Sequence, residues 1–210
     1  MLLALEGIAG AGKSTLRDRL LAASAAEGRH IGSFGQFSWL SLQATRVLTT
    51  LRAGRPAVHH LEALDAARHD LELHARYNLA PALELGPVVA DRLTLSTACL
   101  LALVHDRPVD DYIPHLAKIP AARADLTVLL CTDPAICTAR LAHRATGRRF
   151  GEDLRTAARL ADLYERAATL WTEATGLPVL RYPCVTEDDL DLLTTTCLRR
   201  LHAADVTAPI

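Results

Sequence analysis

Gly7-Ile8-Ala9-Gly10-Ala11-Gly12-Lys13-Ser14 sets three glycines, a lysine and a hydroxyl in the spacing G-x-x-x-x-G-K-[ST]. The chemistry of such a loop is phosphate binding. Its glycines let successive backbone N–H groups turn inward around phosphate oxygens, at the positive end of the helix that follows. The pattern is informative only between a strand and a helix. Leu2–Leu5 is a short apolar run directly before it, and a helix begins near Thr15, so the context is met. In this reading Gly7, Gly10, Ala11, Gly12, Lys13, Ser14 and Thr15 form the nucleotide-binding set. Lys13 reaches the β- and γ-phosphates, and the Ser14 hydroxyl ligates Mg²⁺. A glycine-rich turn that matches by coincidence is the competing reading. Only Lys13 and Lys118 are lysines, which makes the placement of Lys13 harder to dismiss.

A second candidate is Asp91-Arg92, which closes the apolar run Val88-Val89-Ala90. A carboxylate there sits at the carboxyl edge of a sheet, beside a bound nucleotide. It can hold Mg²⁺ through water, or accept a proton if the acceptor is a hydroxyl, while Arg92 neutralises charge on the transferring phosphoryl group. A strand-end cap with a surface arginine is the bland alternative. Arg140, Arg144 and Arg148 recur every four residues, so a continuous helix would carry them on one face with Arg149 beside them. A solvated basic face usually has acidic partners one turn on, and this segment has none before Glu152.

The elements that must position these groups are short buried strands alternating with helices. Apolar or β-branched runs fall at Leu2–Leu5, near His30–Phe34, at Val88–Ala90, at Leu126–Cys131 and at Val179–Arg181. Between them lie helical spacings such as Leu61, Leu64, Ala67, Leu71 and Ala75. Thr132-Asp133-Pro134 opens a helix, while Gly86-Pro87 and Gly176-Leu177-Pro178 each break one before a strand. This alternation indicates the α/β class, with a parallel sheet covered on both faces. At 210 residues, without repeat or linker, the chain reads as one domain, 1–210.

Composition narrows the partners. Lys+Arg 23 against Asp+Glu 24 removes the strongest motive for a nucleic-acid polymer or a membrane surface. The longest apolar run, Ala98 to Val104, is far shorter than the ~20 residues of a membrane span. The amino terminus lacks a basic leader segment, and the five cysteines form no CxxC pair, so reduced buried thiols in a cytoplasmic protein are expected. No histidine pair sits in a zinc-site pattern, and no structural metal is expected. Asn78, the only asparagine, is followed by Leu79, which excludes a guanine-reading Asn-Lys-x-Asp motif.

Four segments resemble the thymidylate kinase family of nucleoside and nucleotide kinases. They are Leu5 through Thr15, Pro81 through Arg92, Asp125–Leu130 with Asp133-Pro134, and Arg144 through Phe150 followed by Tyr164. The resemblance implies a P-loop kinase fold, three-layer α/β/α, with a five-stranded parallel sheet and a helical lid at about 140–155. It implies ATP and Mg²⁺ as cofactors, a small-molecule phosphate acceptor and a possible homodimer; Ala98–Val104 is the candidate patch for one, and ordinary core burial explains that run at least as well. It also makes Arg140, Arg144 and Arg149 lid contacts to ATP.

Two departures fall on the acceptor side. The family carries a carboxylate where this chain has Ala9. It also carries an Arg-Glu-Pro segment, gripping the acceptor phosphate, where this chain reads Gly32 through Trp39 without an arginine or a carboxylate. A glutamate base, as in deoxynucleoside kinases, is missing there too. Arg68 and Arg76 remain as candidate grips. Phe34, Phe37 and Trp39 stand out in a chain that is 4% aromatic, either as a stacking surface for the acceptor or as core, whereas Tyr77 and Tyr112 read as core. The leading expectation is γ-phosphate transfer from ATP to a nucleotide or nucleoside-like molecule. A kinase of a secondary-metabolite or antibiotic hydroxyl, with Asp91 as base, and a non-catalytic nucleotide-binding module are the alternatives.

Overall fold

A computed structural model of the chain describes residues 1–143 and 149–205. All five expected strands form, as β1 (Leu2–Glu6), β2 (Gly32–Gly35), β3 (Val88–Asp91), β4 (Leu126–Leu130) and β5 (Val179–Tyr182). They build one parallel sheet in the order β2-β3-β1-β4-β5. Every residue of β1 and β4 is buried, which is why these strands read as uninterrupted apolar runs rather than alternating ones.

The helices are α1 (Lys13–Ala26), α2 (Leu42–Arg52), α3 (His60–His74), α4 (Ala80–Leu85), α5 (Thr94–His105), α6 (Ile113–Leu116), α7 (Pro134–Ala142), α8 (Leu154–Thr175) and α9 (Glu187–Asp205). α1 packs with α9, while α2, α3, α5 and α8 form a second connected group. Asp133 caps α7 by accepting from the Ala135 amide at 2.7 Å, with Pro134 in the first turn. α8 runs from its cap Asp153 to Gly176, whose left-handed backbone ends it. α1 begins at Lys13, two residues before the expected start, so the lysine and serine belong to the helix itself.

The helical spacing is met in α3, where Leu64, Ala67 and Leu71 are buried together with Ala63, Asp70 and His74, and at Ala75, which follows it and is buried too; Leu61, at the start of the helix, is 54% exposed. Tyr77 is exposed and carries the Arg76 guanidinium over its ring, because a π-helical turn at Ala75–Leu79 rotates it away from the core; Tyr112 is buried as expected. Ala98, Cys99, Leu101 and Ala102 are interior residues of α5, so of the two readings of that run core burial is the one the fold bears out. α7 stops at Ala142 and α8 starts at Leu154, with residues 149–153 between them non-helical. Arg140 lies in α7, while Arg144 and Arg148, expected to share its face, lie outside the described residues. Among those described, no helix is long and apolar enough to cross a membrane.

Candidate functional site

The parallel register places Leu5 opposite Asp91, so the loop after β1 and the end of β3 emerge side by side at the sheet's carboxyl edge. A cleft of about 780 Å³ opens there, lined on one side by Gly10, Gly12, Lys13, Ser14 and Thr15. Gly7 has φ +128°, and a Cβ on it would stand 2.6 Å from the Leu130 carbonyl oxygen. Gly10 has φ +81° and would meet the Cys137 carbonyl at 2.5 Å. Neither position admits a side chain, which is how the loop folds tightly enough to aim its amides inward. Gly7 and Ala11 do not line this cleft: Gly7 borders a smaller cavity with Leu130 and Thr132, and Ala11 is buried.

Lys13 is buried, and its ammonium donates to the Ile8 carbonyl at 2.6 Å across the loop. Burial pushes its pKa well below the usual lysine range, and the neighbouring Arg92 adds to that. The Ser14 hydroxyl donates to Asp91 Oδ2 at 3.2 Å, and Arg17 donates to the same oxygen at 2.9 Å. A hydroxyl and a carboxylate oxygen this close can offer Mg²⁺ the hard oxygen ligands it prefers.

Arg92 has a left-handed backbone, φ 75°. Its Nη1 donates to the Gly7 carbonyl at 2.9 Å, to Ser96 Oγ at 3.2 Å and to the Tyr164 hydroxyl at 2.8 Å. Burial works against its charge, but Tyr164, Glu6 and Asp91 outweigh that and hold the guanidinium above its usual range. Beneath it Glu6, 1% exposed, accepts from the amides of Leu93, Leu95 and Ser96 at 3.0–3.1 Å and from the Ser96 hydroxyl, capping the start of α5. Desolvation raises its carboxyl pKa against the pull of those donors.

The other wall of the cleft holds Gln36, Phe37, Trp39, Arg52, Leu100, Leu103, Arg149, Phe150 and Tyr164 among others. Of the aromatic candidates, Phe37 and Trp39 reach the cleft. Phe34 does not: it packs edge-on against His74, at 5.9 Å between ring centroids, on the far side of β2's end. Arg68 is also displaced from the cleft, pairing with Glu72 at 3.8 Å along α3. Arg140 lines the cleft but turns its donors to the carbonyls of Gly10, Cys184 and Val185, tying the loop after β5 to the phosphate loop. The Arg149 amide donates to Glu152 Oε2 at 2.8 Å.

Glu6, Arg17, Arg52, Ser96 and Asp70 went unassigned at the level of sequence. Asp70 carried the clearest signal, an acid on the apolar stripe of α3, where only a residue with committed partners is tolerated. Arg17, one turn from Ser14 on α1, carried a weaker one.

Comparison with known proteins agrees with this geometry. A family profile described as thymidylate kinase matches residues 5–175. A curated protein named thymidylate kinase, from Solidesulfovibrio magneticus (strain ATCC 700980 / DSM 13731 / RS-1), is 36% identical over 154 residues. That match covers 69% of this chain and 70% of the relative.

Proposed function

Because the chain belongs to the thymidylate kinase family and is thereby an ATP-dependent nucleotide kinase, we propose that its acceptor is thymidine 5′-monophosphate. The observation that carries this reading is the convergence of Arg52, Arg92 and Arg149 on the acceptor half of the cleft. Burial lowers the Arg52 pKa, and Arg149 and Arg92 lower it further by crowding it with like charge. Cations gathered this way suit a dianionic acceptor and have no use for a neutral hydroxyl compound.

In this reading the amides from Gly10 to Thr15 hold the triphosphate, and Lys13 exchanges its Ile8 contact for the β- and γ-phosphates. Ser14 and Asp91 would hold Mg²⁺, which would supply positive charge against the triphosphate. Arg92, fixed by Gly7, Ser96 and Tyr164, stands between donor and acceptor. Its rigid placement stabilises charge on the moving phosphoryl group without reorganisation during transfer. Arg140 acts through the loops it ties together. Arg149, from the segment next to α8, covers the phosphates and excludes water, suppressing hydrolysis. The cytoplasm, where ATP and nucleoside monophosphates are available, is the compartment this activity needs.

The test is ADP release with ATP and Mg²⁺ against a panel of nucleoside monophosphates, nucleosides and hydroxylated antibiotics. Turnover with thymidine monophosphate supports the assignment. Turnover confined to neutral hydroxyl compounds overturns it.

A further inference from the structure

The segment Gly32 through Trp39 contains no arginine, yet the cleft lined by its Gln36, Phe37 and Trp39 also carries Arg52 and Arg149. The next arginine along the chain, Arg46, does not line the cleft, whereas Arg52, in the last turn of α2, does. Arg52 makes no hydrogen bond or ion pair with another described residue. Its guanidinium lies instead over the Trp39 ring, 5.6 Å from the centroid. A cation–π contact ties up none of the guanidinium N–H donors in a hydrogen bond, and among the described residues they have no acceptor, so they are available to pair bidentately with phosphate oxygens.

The support is itself built. Trp39 has φ 58°, a region that a bulky side chain enters only when its surroundings impose it. The imposing group is Asp70, a buried carboxylate that accepts from the Ser38 amide at 2.9 Å, the Ser38 hydroxyl at 2.6 Å and the Trp39 amide at 3.2 Å. Phe37 meets the Trp39 ring edge-on at 5.2 Å. Two residues beyond Arg52, Gly54 has φ +76°, and the Phe150 ring stands 2.2 Å from the place its Cβ would take. That contact seats the neighbour of Arg149 on the turn just after Arg52, so the two guanidiniums face a common space.

We propose that Arg52 holds the acceptor's phosphate in this chain, with Trp39 as its support and Asp70 as the positioning residue that fixes Trp39. The inference rests on the phosphorylated-acceptor reading and deepens it: the grip missing after β2 is supplied from the end of α2.

The experiment compares equilibrium binding of thymidine monophosphate, thymidine and ATP to the wild-type protein, Arg52→Met and Arg52→Lys, with thermal midpoints as a folding control. The expected result is a rise in the Kd for the monophosphate of roughly tenfold to a hundredfold in Arg52→Met, the range of a charge-assisted pair. Thymidine and ATP binding and the midpoint stay at wild-type values, and Arg52→Lys recovers part of the loss. Asp70→Asn reproduces the loss in weaker form, provided its midpoint is retained. Equal weakening of thymidine and its monophosphate, or no weakening of either, overturns the role of Arg52. Should the wild-type protein bind thymidine as tightly as the monophosphate, the phosphorylated-acceptor reading itself fails, which the wild-type measurements alone reveal.

Discussion

Ser14 Oγ and Asp91 Oδ2 meet at 3.2 Å, although one belongs to the helix after β1 and the other to the end of β3. The contact follows from a parallel register that sets Leu5 against Asp91, so the sheet rather than a flexible loop fixes the distance. If this pair holds Mg²⁺, Asp91→Asn removes the charge while keeping the shape. Turnover should then fall about a hundredfold or more, and the Mg²⁺ concentration needed for half-maximal rate should rise. Rates measured across a Mg²⁺ titration check this, and an unaltered Mg²⁺ dependence would take Asp91 out of the metal site.

The depressed pKa of buried Lys13 has a consequence in the free protein. Phosphate oxygens arriving beside the ammonium favour its charged form, so nucleotide binding raises the pKa that burial had lowered. Between the two values, binding takes up a proton. At pH values where the terminal phosphate of ATP is already fully ionised, uptake belongs to the protein. Calorimetric titrations with ATP in buffers of different ionisation enthalpy should show net proton uptake growing over that range. Zero uptake throughout would mean that Lys13 is fully protonated in the free protein.

Much of this site is local and therefore legible in sequence. The phosphate loop, the strand-end Asp91-Arg92 and the five strands depend on neighbours within a few residues, and each stands where the pattern put it. Sidedness was harder. Phe34 and Phe37 are equally aromatic and three residues apart, but Phe34 turns to His74 while Phe37 turns to the cleft. Only the packing of α3 against β2's end separates them. Arg52 was invisible for a related reason. Its function depends on a ring thirteen positions earlier being held in a left-handed backbone by Asp70, a relationship between three elements that no spacing rule encodes.

Glu6 supplies a stability prediction. Its carboxylate has three backbone donors and one hydroxyl donor and almost no water, so Glu6→Gln turns an amide NH₂ toward groups that themselves donate. The expected cost is about 2–4 kcal/mol, the range for leaving buried donors without acceptors. In a chain of this length that lowers the thermal midpoint by roughly 5–15 °C. A midpoint shift below about 2 °C would show that the buried donors find water instead.

Histidine protonation sets the acid side of the stability profile. His74 sits under the β2 end with Nε2 3.0 Å from the Gly35 carbonyl and Nδ1 2.8 Å from the Asn78 side-chain nitrogen. The neutral ring satisfies both contacts, with Nε2–H donating to the carbonyl and Nδ1 accepting from the amide. A doubly protonated ring would confront the Asn78 NH₂ with a second donor. Desolvation lowers the pKa of His74, and also those of His60 and His105, which share the contact between the start of α3 and the end of α5. Each folded-state value lies below the unfolded one, so the unfolded chain binds more protons as pH falls. The stability these groups contribute is complete above about pH 6.5 and is lost as pH drops through their folded values. Urea midpoints should therefore decline below about pH 6.5, and His74→Gln should flatten part of that decline. A profile level down to the carboxylate range would contradict it.

Gly54 tests whether the turn after α2 seats the lid segment. Alanine there meets two obstacles: a backbone at φ +76°, which costs about 1 kcal/mol for a residue with a Cβ, and the Phe150 ring where that Cβ must go. The ring is the far end of a side chain and can move, so the fold survives, but Phe150 leaves its seat and Arg149 goes with it. If Arg149 contributes to holding the phosphate and to covering it, acceptor KM and kcat in Gly54→Ala should both worsen, roughly three- to tenfold. Phe150→Ala vacates the same seat without straining the turn, and separates the two causes. If Phe150→Ala, which also deletes the ring, keeps wild-type kinetics while Gly54→Ala does not, the damage lies in the backbone that carries Arg52. If both variants lose acceptor affinity together, the Phe150 contact is what brings Arg149 to the phosphate.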